Sequence, residues 1–218
     1  MRRFPICRLL LVSFSFSFSL SFLSPSRRLL AQDPPATPHG FIASRYDTHT
    51  SSNIFVGYSL GPVTPMVALV QNPRSTYRES ILGLVRFLPP SRHFALTLAV
   101  AGAHVTDTDR SWYAQYYLLP TLTEGPFEAS GTFEGYVPLD SKGVAQFALN
   151  PGNLLVKVAP RWKVGAVTVV STQSNAPYSL GAGPSLQFKI PRGTITLDIV
   201  SSVTRWASEE RVSFFTSY

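Results

Sequence analysis

Pro191-Arg192-Gly193-Thr194-Ile195-Thr196-Leu197-Asp198-Ile199-Val200-Ser201-Ser202-Val203 opens on a turn and then alternates. Thr194, Thr196 and Asp198 fall on one face, Ile195, Leu197 and Ile199 on the other. A period of two sends successive side chains to opposite sides of an extended chain, so this stretch is a strand with one wet and one greasy face. The pattern recurs at similar spacing almost to Tyr218, and after residue 31 no segment keeps a helical period of apolar residues for three turns. Aromatic and β-branched runs separated by Gly, Pro, Asn, Asp and Ser define an all-β class.

Twelve strands are predicted: Phe41 to Thr48, Asn53 to Leu60, Val63 to Gln71, Arg78 to Leu88, His93 to Val105, Ser111 to Thr121, Pro126 to Pro138, Val144 to Pro160, Lys163 to Thr172, Tyr178 to Ile190, Gly193 to Val203 and Ser208 to Tyr218. Ten is the alternative count, because the segments before Val63 are the least regular. Two positions conflict with the scheme. Asn150-Pro151-Gly152 is a turn signal inside the eighth strand, which is either a true turn or a bulge. Pro184 lacks a ladder donor inside the tenth, where a bulge or a later start at Ser185 is expected.

The amino-terminal 31 residues have the form of a secretory signal: Arg2, Arg3 and Arg8, then an apolar stretch from Leu9 to Leu23 diluted by serines, then Leu29-Leu30-Ala31. Pro25 interrupts the stretch before the ~20 apolar residues of a spanning helix. Cleavage after Ala31 is expected, leaving residues 32–40 as a Pro-rich periplasmic lead-in and 41–218 as the barrel. Five of the 19 basic residues lie in the signal, so the mature chain carries 14 against 12 acids, a formal charge of +2. That balance gives no support to a nucleic-acid partner. Cys7 also lies in the signal, so the mature chain has no thiol nucleophile, disulfide or cysteine metal site.

Short turns at Gly61-Pro62, Pro89 to Arg92, Leu122 to Gly125, Arg161-Trp162 and Pro191-Arg192 alternate with longer links at 72–77, 106–110, 139–143 and 173–177. Membrane barrels have this asymmetry, with short periplasmic turns and longer outer loops. Alternate positions give a lipid-facing set that includes Phe94, Leu96, Leu98, Val100, Phe127, Phe133, Val137, Leu186, Phe188 and Ile190. The inward set contains Arg86, Glu128, Glu134, Lys157, Gln187, Lys189, Asp198 and Arg211. A charge on the lipid face near the midplane costs ~2–4 kcal/mol, which places mixed charges in the lumen. Trp112, Tyr113, Tyr116, Tyr117, Phe87, Trp162, Trp206 and Tyr218 are expected near the two rims, where amphipathic rings settle.

The last segment, Arg211-Val212-Ser213-Phe214-Phe215-Thr216-Ser217-Tyr218, resembles the C-terminal strand of bacterial outer-membrane β-barrel proteins, with Val212, Phe214 and Tyr218 on the pattern and Thr216 off it. The resemblance implies a closed antiparallel transmembrane barrel in the bacterial outer membrane, with the lipid bilayer and the barrel-insertion machinery as partners.

Catalytic and metal motifs are sparse. Ser174-Asn175-Ala176 resembles the core of the outer-membrane lipid A 3-O-deacylases, whose base is a histidine two positions before the serine; here that position is Thr172. His104 with Asp107 and Asp109 matches no metal-loop spacing. No catalytic, metal or cofactor residues are assigned, and no cofactor is implied. The chain is expected to be a non-enzymatic barrel with a polar, mixed-charge lumen, acting as a porin-like channel or as a binding barrel for a small polar solute. The alternatives are a deacylase-type lipid hydrolase using Ser174 and His104, a structural barrel, and a secreted soluble β-barrel.

Overall fold

A computed structural model describes residues 39–49, 51–72, 74–106 and 110–218. The signal and nearly all of the lead-in lie outside these, as do Asp107 and Asp109. The described chain is a closed antiparallel barrel of twelve strands: β1 Gly40–Asp47, β2 Ser52–Tyr58, β3 Thr64–Gln71, β4 Arg78–Phe87, β5 Phe94–Thr106, β6 Trp112–Glu124, β7 Phe127–Pro138, β8 Gln146–Ala159, β9 Trp162–Gln173, β10 Ala176–Ile190, β11 Gly193–Thr204 and β12 Glu209–Ser217. Each strand pairs with its sequence neighbours, and β1 closes the ring on β12 with Phe41 opposite Ser217 and Asp47 opposite Arg211. Closure leaves no edge strand with unpaired backbone groups, the condition for sheet structure in hydrocarbon.

Leu69, Leu82 and Leu154 are 61, 69 and 59% exposed, and Val67, Val100, Val158 and Ile199 stand on the same outer wall. A greasy belt of this extent is costly against water and is the expected surface against lipid. It excludes the secreted soluble barrel. Thr168, a polar side chain within this wall, satisfies its hydroxyl by donating to the carbonyl of Gly181 at 3.3 Å.

Both sequence conflicts are settled locally. Asn150-Pro151-Gly152 lies inside β8, and the register slips there against β7, between Gly131 and Phe133, and against β9, between Leu149 and Gly152. It is a bulge, so twelve strands stand and the parity changes: Asn150 and Asn153 both face the interior although they are three residues apart. At Pro184 the expected bulge is absent. Pairing with β9 runs through it unshifted, while the ladder to β11 skips 183 and 184 and resumes in the same register. Gly183 makes this possible, because a Cβ there would lie 1.7 Å from the Ile199 carbonyl oxygen.

Arg86 requires correction. It shares a face with exposed Leu82 and Leu84 and is itself exposed, placing it on the outer wall one residue before β4 ends. There a long side chain reaches the interface, at little of the midplane cost. Phe87 is the inward neighbour: its ring stands edge-on to Phe41 with centroids 6.0 Å apart.

Candidate functional site in the barrel lumen

The strand registers assemble a charged layer in the half of the lumen towards the longer loops. Arg211 on β12 stands directly opposite Asp47 on β1 and Asp198 on β11. Its Nε donates to Glu209 Oε1 at 2.6 Å, and its Nη2 donates to the same oxygen. Arg45 Nε lies 3.4 Å from Asp47 Oδ2. Arg211 and Asp47 are almost wholly buried, and a buried charge is tolerated only when paired and hydrogen-bonded as here.

The β8 bulge reaches this layer from the far wall. Asn150 Oδ1 accepts from Arg211 Nη1 at 2.7 Å and from Arg45 Nη1 at 3.4 Å. In the ring of twelve, β8 is four places from β12 and five from β1, so these bonds cross the lumen.

Two further carboxylates face the same space. Glu79 on β4 accepts from Tyr77 Oη at 2.9 Å and from Gln115 Nε2, whose own amide oxygen accepts from Tyr117 Oη at 2.6 Å. Glu134 on β7 accepts from Tyr136 Oη at 3.1 Å and lies within electrostatic reach of Arg45 and Arg211. At the short-turn end, Lys163 pairs with Glu128, Lys157 stands opposite Lys163, and Gln187 donates to Thr196 at 3.4 Å.

The interior is unequally filled. On the β8 to β11 side Leu155, Val167, Val169 and Val200 are fully buried, and Trp206, from the β11–β12 link, folds over Gly181. Trp206 Nε1 donates to Glu209 at 2.9 Å, and its ring lies 5.7 Å from the Arg211 guanidinium, so the link is tied into the charged layer. On the other side a cavity of about 990 Å³ runs from Phe87, Thr97 and Phe215 near the short turns to Ser51, Tyr77 and Gln173 near the loops. Its wall on β1 to β6 is apolar: Phe41, Phe55, Met66, Val85, Ala99, Tyr117 and Leu119 line it. The polar, mixed-charge lumen expected from the sequence occupies only part of the inner wall, and on this side the wall is largely apolar. Strands β3 to β5 are apolar on both faces, so alternation gave no sign of it.

Of the predicted lumen residues, Glu128, Glu134, Lys157, Gln187, Lys189, Asp198 and Arg211 share the inner face, and Arg86 does not. Glu134 and Asp198 border the cavity itself; Arg211 is buried behind it, and Lys157 and Lys189 are exposed at the short-turn end. Sequence reading missed Arg45, Asp47, Glu79, Asn150 and Glu209. The available signal was parity, since Arg45 and Asp47 alternate with outward Tyr46. Val212 and Phe214 lie on the outer wall, and Tyr218 Oη donates to the Gly57 carbonyl at 3.4 Å.

No protein-family model matches the sequence, and no curated protein sequence matches it. Solved structures do match. The KdgM porin in complex with disordered oligogalacturonate aligns at a TM-score of 0.57 and 8% identity, over 82% of this chain and 98% of that one. The KdgM porin aligns at 0.54 and 9%, over 82% and 99%. The Acinetobacter baumannii outer membrane protein Omp33 aligns at 0.51 and 11%, over 83% and 98%. The fold is that of the outer-membrane porins. At such identities the likeness carries the twelve-stranded architecture, and the solute has to be argued from the inner wall.

The deacylase fragment gains nothing from its surroundings. Ser174 and Asn175 form the exposed β9–β10 turn, with Ser174 N–H donating to the Ala145 carbonyl at 3.0 Å. His104 is on the outer face of β5, four strands away, with its ring 4.5 Å from that of Trp112. Among the described residues no group of His, Cys, Asp and Glu is arranged to hold a metal.

Proposed function

We propose that this chain is a porin-like channel of the bacterial outer membrane, passing small solutes along the cavity beside β1 to β7. The carrying observation is that one cavity of about 990 Å³ is bordered by residues from both ends of the strands. Trp206 and the valines fill the opposite side, so the passage is eccentric and narrow. Arg45, Asn150 and Arg211 bond across the barrel interior beside this passage. In this reading the short turns face the periplasm, the longer links face outwards, and Val212, Phe214 and Tyr218 are the features met by the insertion machinery.

Planar-bilayer recording on refolded protein tests the proposal. Discrete conductance steps that scale with salt are expected; a folded barrel that inserts and passes no current would make it a structural barrel.

A further inference from the structure

Aromatic rings and carboxylates share the cavity. One side presents aromatic rings: Phe41 lies 6.4 Å from Phe215 in a stacked arrangement, and Phe55 lies 6.4 Å from Tyr117, edge to face. Three carboxylates border the same space: Glu79 rises from β4 within that wall, beside Gln115 and Tyr117, and Glu134 and Asp198 stand on β7 and β11, while Arg45 is the one cationic side chain among the described residues that border it. Arg45 is already committed to Asp47. Arg211 lies behind the wall, engaged by Glu209.

The three carboxylates are held differently. Both oxygens of Glu79 accept from neutral donors, which solvate the negative charge without cancelling it. The Glu134 contact with Tyr136 is of the same kind. Asp198 is 2% exposed and sits between Ser185 on β10 and Arg211 on β12, both of which act on its carboxylate.

Resting on the channel reading, we infer that the passage selects amphiphilic organic cations: solutes with an apolar or aromatic body that lies on the β1 to β6 wall and an ammonium or guanidinium group directed at Glu79 and Glu134. Aromatic faces attract cations as well as apolar groups, so rings and carboxylates favour the same solute. An anionic solute meets more carboxylates than cations along the cavity, and a small inorganic ion has no apolar body to lie on the rings.

The test is equilibrium binding to the refolded full-length mature protein in detergent, by calorimetry, using benzyltrimethylammonium, phenylacetate and benzyl alcohol as cationic, anionic and neutral probes. The cation is expected to bind about tenfold or more tightly than the anion, since removal of one facing charge at short range is worth about that factor. Glu79→Gln and Glu134→Gln should each weaken the cation and leave benzyl alcohol unchanged, while Glu124→Gln, at a short turn, leaves all three unchanged. Retention of the heat-modifiable folded band on gels separates lost binding from lost folding. Equal or tighter binding of phenylacetate, or no binding of the cation to folded protein, overturns the inference. Cation binding without bilayer conductance supports it and overturns the channel reading alone; conductance with anion preference does the reverse.

Discussion

Asn150 and Arg211 meet across the lumen, Oδ1 to Nη1 at 2.7 Å, although 61 residues and four strands separate them. Asn150 continues the inward parity of Gln146 and Ala148, and the bulge that follows it lets Asn153 and Leu155 face inwards as well. Asn150→Ala therefore removes a bond without removing a strand. Hydrogen bonds to charged groups contribute about 1.5–3 kcal/mol, so urea unfolding from lipid vesicles should show a loss within that range. Single-channel recording should show a larger conductance step, and a step unchanged in size would mean that the bridge does not confine the passage.

Arg211 is surrounded by Asp47, Asp198 and Glu209. Arg211→Met leaves these carboxylates without their cation, at a cost of about 3–5 kcal/mol. Adding Glu209→Gln should recover part of the loss. Folding yield into vesicles and urea midpoints measure both, and a single variant as stable as the parent would contradict the pairing.

How far this layer could be anticipated from sequence depends on strand chemistry. Where one face is wet, as in Thr194 to Ile199 or Phe127 to Val137, alternation gave the strand, its limits to within about two residues and its orientation. On β3 to β5 both faces are apolar, so periodicity could not say which residues look inwards, and the greasy half of the lumen stayed hidden. Arg86 was misplaced by the same ambiguity, because a cation at a rim does not have to turn into the lumen. Asn150 keeps the parity of Gln146 and Ala148, but the bulge after it reverses the parity of the rest of β8, so alternation counted back from Lys157 puts Asn150 on the wrong face. Trp206 is expected near a rim, but its turn into the barrel is not legible: a link that folds back obeys contacts across strands, not the alternation of either neighbour.

The outer wall gives a graded prediction. Leu82→Arg, within the greasy belt, should cost about 2–4 kcal/mol on folding into bilayers, whereas the native Arg86 on the same strand can become Leu with little change. Urea titrations in vesicles compare the two. Equal effects would mean that Leu82 does not face lipid.

Asp140, in the link between β7 and β8, accepts from the backbone N–H of Trp112 at 2.8 Å and from those of Lys142 and Gly143. These donors hold its carboxyl below the usual aspartate range, the Trp112 contact contributing most. A depressed folded pKa stabilises the link at pH above the unfolded value of about 3.9 and loses that effect as pH falls through the folded value. Amide hydrogen exchange at Trp112 and Gly143 should therefore accelerate, relative to the intrinsic rate, only at acid pH. Asp140→Asn should remove that acid transition; an identical profile in the variant would show that another group governs the link.

The account depends most on a water-filled passage whose wall is the inner face of the sheet. The one cysteine is Cys7, so in protein made from residue 32 onwards single introduced cysteines report cleanly. Ser130→Cys borders the cavity and Leu154→Cys lies on the outer belt. Addition of a membrane-impermeant cationic thiol reagent during bilayer recording should block current irreversibly through Ser130→Cys and leave Leu154→Cys untouched. Block of the Leu154 variant with the Ser130 variant unaffected would invert the sheet and contradict the account at its root.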